Sequence, residues 1–137
     1  MRLLIWHVDS FKAEPSERGR SQIADKDPQP VSMREGVVVF AAVEKSDEAE
    51  PGAVGGRAAQ AVAEMAKQLG VRAVVLHSFA HLFVELSTPE AAQHVLTATQ
   101  IQLEAEGYNV EQTAFGWFNR LDIQAKGHPL SRVARQV

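Results

Sequence analysis

Cysteine is missing from all 137 residues of the chain. Disulfides, thiolate zinc sites and cysteine nucleophiles are thereby excluded, and with them any sign of an oxidising compartment. No apolar run approaches the length that crosses a bilayer. Met1–Val8 is too short for a signal peptide and leads straight into Asp9, so a cytoplasmic protein with no membrane partner is expected. Basic residues are not in excess either: 14 Lys and Arg stand against 17 Asp and Glu, a formal net charge of -3. A duplex-binding protein normally carries a basic stripe, so no DNA partner is expected. The same balance leaves room for an RNA partner held elsewhere, or for one nucleotide gripped in a pocket. Internal repeats and low-complexity segments are absent. What is present is ordinary for a folded domain, 45% hydrophobic and 23% charged residues, and one domain over 1–137 is long enough to bury a core without crosslinks.

The chain is organised around Val74-Val75-Leu76-His77-Ser78-Phe79-Ala80-His81-Leu82. It starts as a β-branched buried strand and then turns small, polar and aromatic, which places a polar site at the lip of a hydrophobic sheet. Strands are also predicted over Arg2–Val8 and Val37–Val43, both apolar on two faces. His7 falls on the side of Leu3 and Ile5 as a hydrogen-bonded core or rim histidine. Asp9 to Gly36 reads as a long loop. A helix over Arg57–Leu69 carries the stripe Ala58, Val62, Met65, Ala66 and Leu69, with Gly70 as its cap. Val54-Gly55-Gly56-Arg57 lacks the full phosphate-loop pattern and is discounted, and no cofactor is expected. Ser87-Thr88-Pro89-Glu90 opens a second helix that ends at Gly107. Phe115–Asp122 forms one or two strands, Lys126–Leu130 a turn, and the remainder a polar, basic end. The order predicts an α/β fold, a mixed β-sheet with helices packed on one face.

Residues alone leave several chemistries open. His77, His81 and Glu85 have the spacing of a helical zinc face, but His77 sits in a strand, where that periodicity fails. Ser78 belongs to no GxSxG elbow. Phe115, Trp117 and Phe118 suit a dimer interface or a base-stacking platform with no catalysis.

Taken together, Val43-Glu44-Lys45, Phe79-Ala80-His81-Leu82, Phe115-Gly116, Lys126-Gly127-His128-Pro129-Leu130 and the opening strand Arg2–Asp9 resemble, in order and spacing, the N-terminal editing domain of archaeal threonyl-tRNA synthetases. The likeness spans essentially the whole chain, the long loop least. It implies a fold like that of D-aminoacyl-tRNA deacylases, a homodimer, and hydrolysis of serine mischarged on threonine tRNA, with the 3′ end of that tRNA as partner. Against the family pattern, Phe118-Asn119 replaces a Tyr-Lys pair and Arg132 replaces a Glu. The catalytic group implied is His81, Ala80, Phe115, Gly116 and Asn119, no metal included. The implied substrate contacts are Val43, Glu44, Ser78, Phe79, Ala80, His81, Trp117, Phe118 and Arg132. Hydrolysis of an activated ester needs an oriented water and oxyanion donors more than a strong base, and backbone N–H groups around Phe79–His81 and Phe115-Gly116 are the donors expected. Val43, facing Ala80, is the expected wall against the extra methyl of threonine. The alternatives kept beside this reading are a non-catalytic aminoacyl-tRNA or amino-acid binding module and a His-based metallohydrolase.

Overall fold

The computed structural model describes residues 1–80 and 85–137. In chain order its elements are β1 (Arg2–Arg18), β2 (Val31–Met33), β3 (Gly36–Ala42), a 3-10 turn (Lys45–Ala49), α1 (Pro51–Leu69), β4 (Ala73–Ser78), α2 (Pro89–Ala105), β5 (Asn109–Gln112), β6 (Trp117–Ala125) and β7 (Arg132–Gln136).

β1 is the axis of the sheet. One edge pairs antiparallel with β3, from Arg2↔Ala42 to Val8↔Gly36, and the same register continues into β2 at Phe11↔Met33. The other edge takes β6 and then β7, both antiparallel. Beyond β3 the strands run parallel, Val38 beside Val75 and Leu76 beside Gln112. The sheet is therefore mixed, as expected.

Alternation explains why the central strands are apolar on both faces. Leu3, Ile5, Val37, Val39, Val74 and Leu76 face the helices and meet Ala58, Val62 and Ala66 of α1 and Val95, Leu96 and Leu103 of α2. Val8, Phe11, Val38, Phe40 and Val75 form a second cluster on the opposite face, edged by half-buried Leu4, Trp6, Phe79 and Leu121.

The expected loop over Asp9–Gly36 is corrected at both ends. β1 runs on to Arg18, and β2 occupies Val31–Met33. Phe11 and Ala13 are buried, but register shifts at Val8/Ser10 and Pro15/Glu17 break the period-two pattern a sequence reader looks for. Pro15 is tolerated because it sits at such an irregularity. The polar C-terminal end is likewise a strand, β7, whose outward residues are exposed and hide its pairing with β1.

Helix ends follow local chemistry. α1 begins at Pro51, earlier than the predicted Arg57, because Val54 and Gly55 extend its buried stripe. A Cβ on Gly55 would lie 2.6 Å from the Ala98 methyl, so this glycine serves helix packing. Gly70 closes α1 at φ 71°. In α2 the Thr88 hydroxyl accepts from the Ala91 N–H at 3.3 Å, and Pro89 follows in the first turn.

Candidate functional site

At the carboxyl ends of β3 and β4 lies a cleft of about 410 Å3. Open α/β sheets characteristically bind ligands there, because the strands end together and leave loops to form the walls. One wall is Ala41–Val43, another His77–Ala80, a third Phe115–Asn119, and Gly19–Ser21 closes the side. The structure thus brings together Val43, Ser78, Phe79, Ala80, Phe115, Gly116, Trp117, Phe118 and Asn119 from three separate segments.

The long connection after β1 is fastened to the Phe115-Gly116 motif. Asp25 Oδ2 accepts from the Phe115 N–H at 2.7 Å, and the Asp25 N–H donates to the Phe115 carbonyl at 3.0 Å. Trp117 Nε1 donates to the Asp25 carbonyl at 2.8 Å, and the Gly19 N–H to the Gly116 carbonyl at 2.8 Å. Gly116 has φ 76°, and a Cβ there would stand 2.8 Å from Ala24 Cα. Both its conformation and the pressed backbone require glycine.

These contacts correct the expected set of main-chain donors. The Phe115 N–H is taken by Asp25, and the Phe79 N–H donates to the Ala41 carbonyl at 2.9 Å. The Ala80 and Gly116 N–H groups have no hydrogen-bond partner among the described residues. Both residues line the cleft, and main-chain N–H groups of this kind are the usual donors to a developing oxyanion.

Side chains divide similarly. Asn119 Nδ2 donates one of its two N–H groups to the Trp117 carbonyl at 3.0 Å, while its Oδ1 is buried without a partner among the described residues. Val43 is buried yet reaches the cleft wall, and Phe118, 54% exposed, stands at the rim. Glu44 and Arg132, expected as substrate contacts, do not line the cleft. Glu44 holds the Met1 ammonium at 3.2 Å and Arg2 Nε at 3.1 Å, and Asp47 takes the same ammonium at 2.7 Å. Arg132 pairs across from Trp6 and lays its guanidinium over the indole, 5.7 Å from the ring centroid. His81 lies outside the described residues.

His77 lines the cleft as well, outside the set of site residues expected from the sequence. Its imidazole is buried, its Nδ1 lies 2.8 Å from Thr113 Oγ1, and Phe40 and Phe79 flank it at 5.4 and 6.1 Å between centroids. Burial lowers its pKa to about 4, so it is neutral at physiological pH. The period of two in β4 was the available signal, since it sets His77 on the face of Val75, away from the helices. His7 is hydrogen-bonded at the rim of the sheet, as expected: its Nδ1 is 2.9 Å from Nε2 of His128.

The threonine–tRNA ligases of Methanopyrus kandleri, Methanosphaerula palustris and Pyrococcus furiosus are 35%, 38% and 36% identical over the full length of this chain. The chain spans only 22% of the length of each of these relatives. A solved structure, c-Myc DNA Unwinding Element Binding Protein, superposes with a TM-score of 0.67 over 100% of this chain and 99% of its own, at 14% sequence identity. That likeness speaks for the fold alone, the mixed sheet with helices on one face. Residues 1–137 match the family described as the Archaea-specific editing domain of threonyl-tRNA synthetase, and the chain belongs to that family.

Proposed function

We propose that this domain hydrolyses the ester of threonine tRNA mischarged with serine and spares threonyl-tRNA. The observation that carries the reading is the cleft at the ends of β3 and β4, where the Ala80 and Gly116 N–H groups are left without partners among the described residues. Such donors stabilise the oxyanion formed when water attacks an ester carbonyl, and they do so whatever side chains surround them. An activated ester needs little more than this and an oriented water, and the free ribose hydroxyl beside the ester is suited to orient it. Replacement of the family's Tyr-Lys pair by Phe118-Asn119 is compatible with such a mechanism. Selectivity falls to the wall at Val43. Favourable contacts with one methyl discriminate by only about 1–3 kcal/mol, whereas a rigid wall excludes the larger side chain outright. The test is deacylation by the purified domain: seryl-tRNA should be hydrolysed and threonyl-tRNA at least about 10-fold more slowly. Equal rates on both, or none on either, would remove the reading.

The functional unit in this proposal is a homodimer. Helices cover one face of the sheet, while the other carries half-buried Leu4, Trp6, Phe79 and Leu121 at its surface. A two-fold partner would cover that aromatic face. Light scattering at micromolar concentration should return twice the mass of one chain, and a monomer would count against the assembly.

A further inference from the structure

We propose that His77 is a specificity-determining residue, whose Nε2–H donates a hydrogen bond to the side-chain hydroxyl of the bound aminoacyl group. The proposal rests on the editing reading and adds to it the means by which the hydroxyl is recognised. His77 lines the cleft from within β4. Its ring is held edge-on by Phe40 and tilted against Phe79, so its direction is set by packing.

The tautomer follows from hydrogen-bond accounting. Thr113 Oγ1 is buried, and its one hydrogen-bond partner among the described residues is His77 Nδ1 at 2.8 Å. A buried hydroxyl proton left without an acceptor costs about 1–3 kcal/mol. Thr113 avoids that cost by donating to Nδ1, which places the ring proton on Nε2. No described residue takes Nε2. A neutral imidazole of this kind offers a donor only. It therefore suits a hydroxyl oxygen and is unsuited to the substrate's ammonium group.

The arrangement also explains how a wall at Val43 can work. A free threonyl side chain could rotate about its Cα–Cβ bond and turn its methyl away from an obstacle. Once the hydroxyl oxygen is fixed by a donor, the remaining substituents on Cβ have fixed directions. The extra methyl of threonine then has no alternative position. Serine, with hydrogen there, fits.

The experiment compares non-hydrolysable adenosine amides of serine, alanine and threonine by calorimetry, alongside deacylation of seryl- and alanyl-tRNA. Wild-type protein should bind the seryl amide roughly 10–100-fold tighter than the alanyl amide, as expected where a donor would lose its acceptor. His77→Phe should bring that ratio close to unity and narrow the gap between serine and threonine. His77→Gln, which keeps an N–H near the position of Nε2, should restore part of the preference. Thr113→Val, which frees the tautomer without touching the cleft donor, should fall between. Thermal unfolding of each variant checks that it is folded. An unchanged seryl-to-alanyl ratio in folded His77→Phe would overturn the assignment, as would a wild-type protein that binds the two amides equally or binds neither. A wild-type protein that shows the His77-dependent preference yet hydrolyses no seryl-tRNA would retain the assignment and remove the editing reading.

Discussion

Seryl-tRNA whose terminal ribose lacks the hydroxyl next to the ester should be hydrolysed at least about 10²-fold more slowly than the natural substrate, the scale of losing one key catalytic donor or proton-transfer group. The reason lies in what the cleft offers. Among the described residues its unpartnered donors include the main-chain N–H groups of Ala80 and Gly116. The Asn119 amide is anchored through one N–H to the Trp117 carbonyl and is no base, and the His77 imidazole, with its pKa at about 4 and Thr113 on Nδ1, is a poor one. In the proposed mechanism the cleft therefore supplies oxyanion donors but no base to orient water, and the substrate's own hydroxyl is left to fill that role. Asn119→Ala, by the same reasoning, should lower the rate by less than about 10-fold, short of the loss of an oxyanion donor. Single-turnover rates on ribo- and deoxy-terminated seryl-tRNA, beside the Asn119→Ala and His81→Ala variants, decide the matter. Normal hydrolysis of the deoxy substrate, with turnover abolished by either alanine, would assign the chemistry to side chains.

Acidification should destabilise the fold before its carboxylates titrate, and His77 should account for much of the loss. The folded-state pKa of His77 is lowered to about 4 from the ordinary 6.5, by burial. The unfolded chain therefore binds a proton that the native state refuses. Stability is fully present above pH 6.5, falls as the pH drops below that value, and the loss is complete once the pH has passed the folded pKa near 4. A shift of that size corresponds to a loss on the order of 3 kcal/mol, a large part of a small domain's stability. His7 acts in the same direction, its pKa lowered first by burial and then by Lys126 and His128. Denaturant unfolding between pH 7.5 and 4.5 should show a steep decline in wild-type protein and a shallower one in His77→Gln. Identical slopes in the two would mean that His77 is protonated in the native state without penalty.

The mixed sheet, both helices and three of the four cleft walls were legible in the sequence because each rests on local chemistry. Val37–Ala42 and Val74–Leu76 declare buried strands through composition, and the Thr88-Pro89 and Gly70 signals mark helix ends wherever they occur. Ser78–Ala80 and Phe115–Asn119 were recognisable as stretches turning polar or aromatic, and Val43 was implied by the family resemblance. What sequence order does not contain is which backbone groups are already taken. Whether the Phe115 N–H is free depends on Asp25, ninety positions earlier in the chain, and Glu44 is claimed by the chain's own amino terminus. Arg132 was expected at the site from the family resemblance, but the register of β7 on β1 sets it over Trp6. His77 was read as a strand residue outside the expected site, and its place at the cleft follows from the pairing of β4 with β3 and from the hydroxyl of Thr113. By itself, then, the sequence determined which segments are strands and helices and which residue types stand at their ends, since those are set by side-chain period and local capping. The tertiary structure alone decided which donors face the cleft unpaired, because a hydrogen bond between distant segments exists only once the sheet has brought them together.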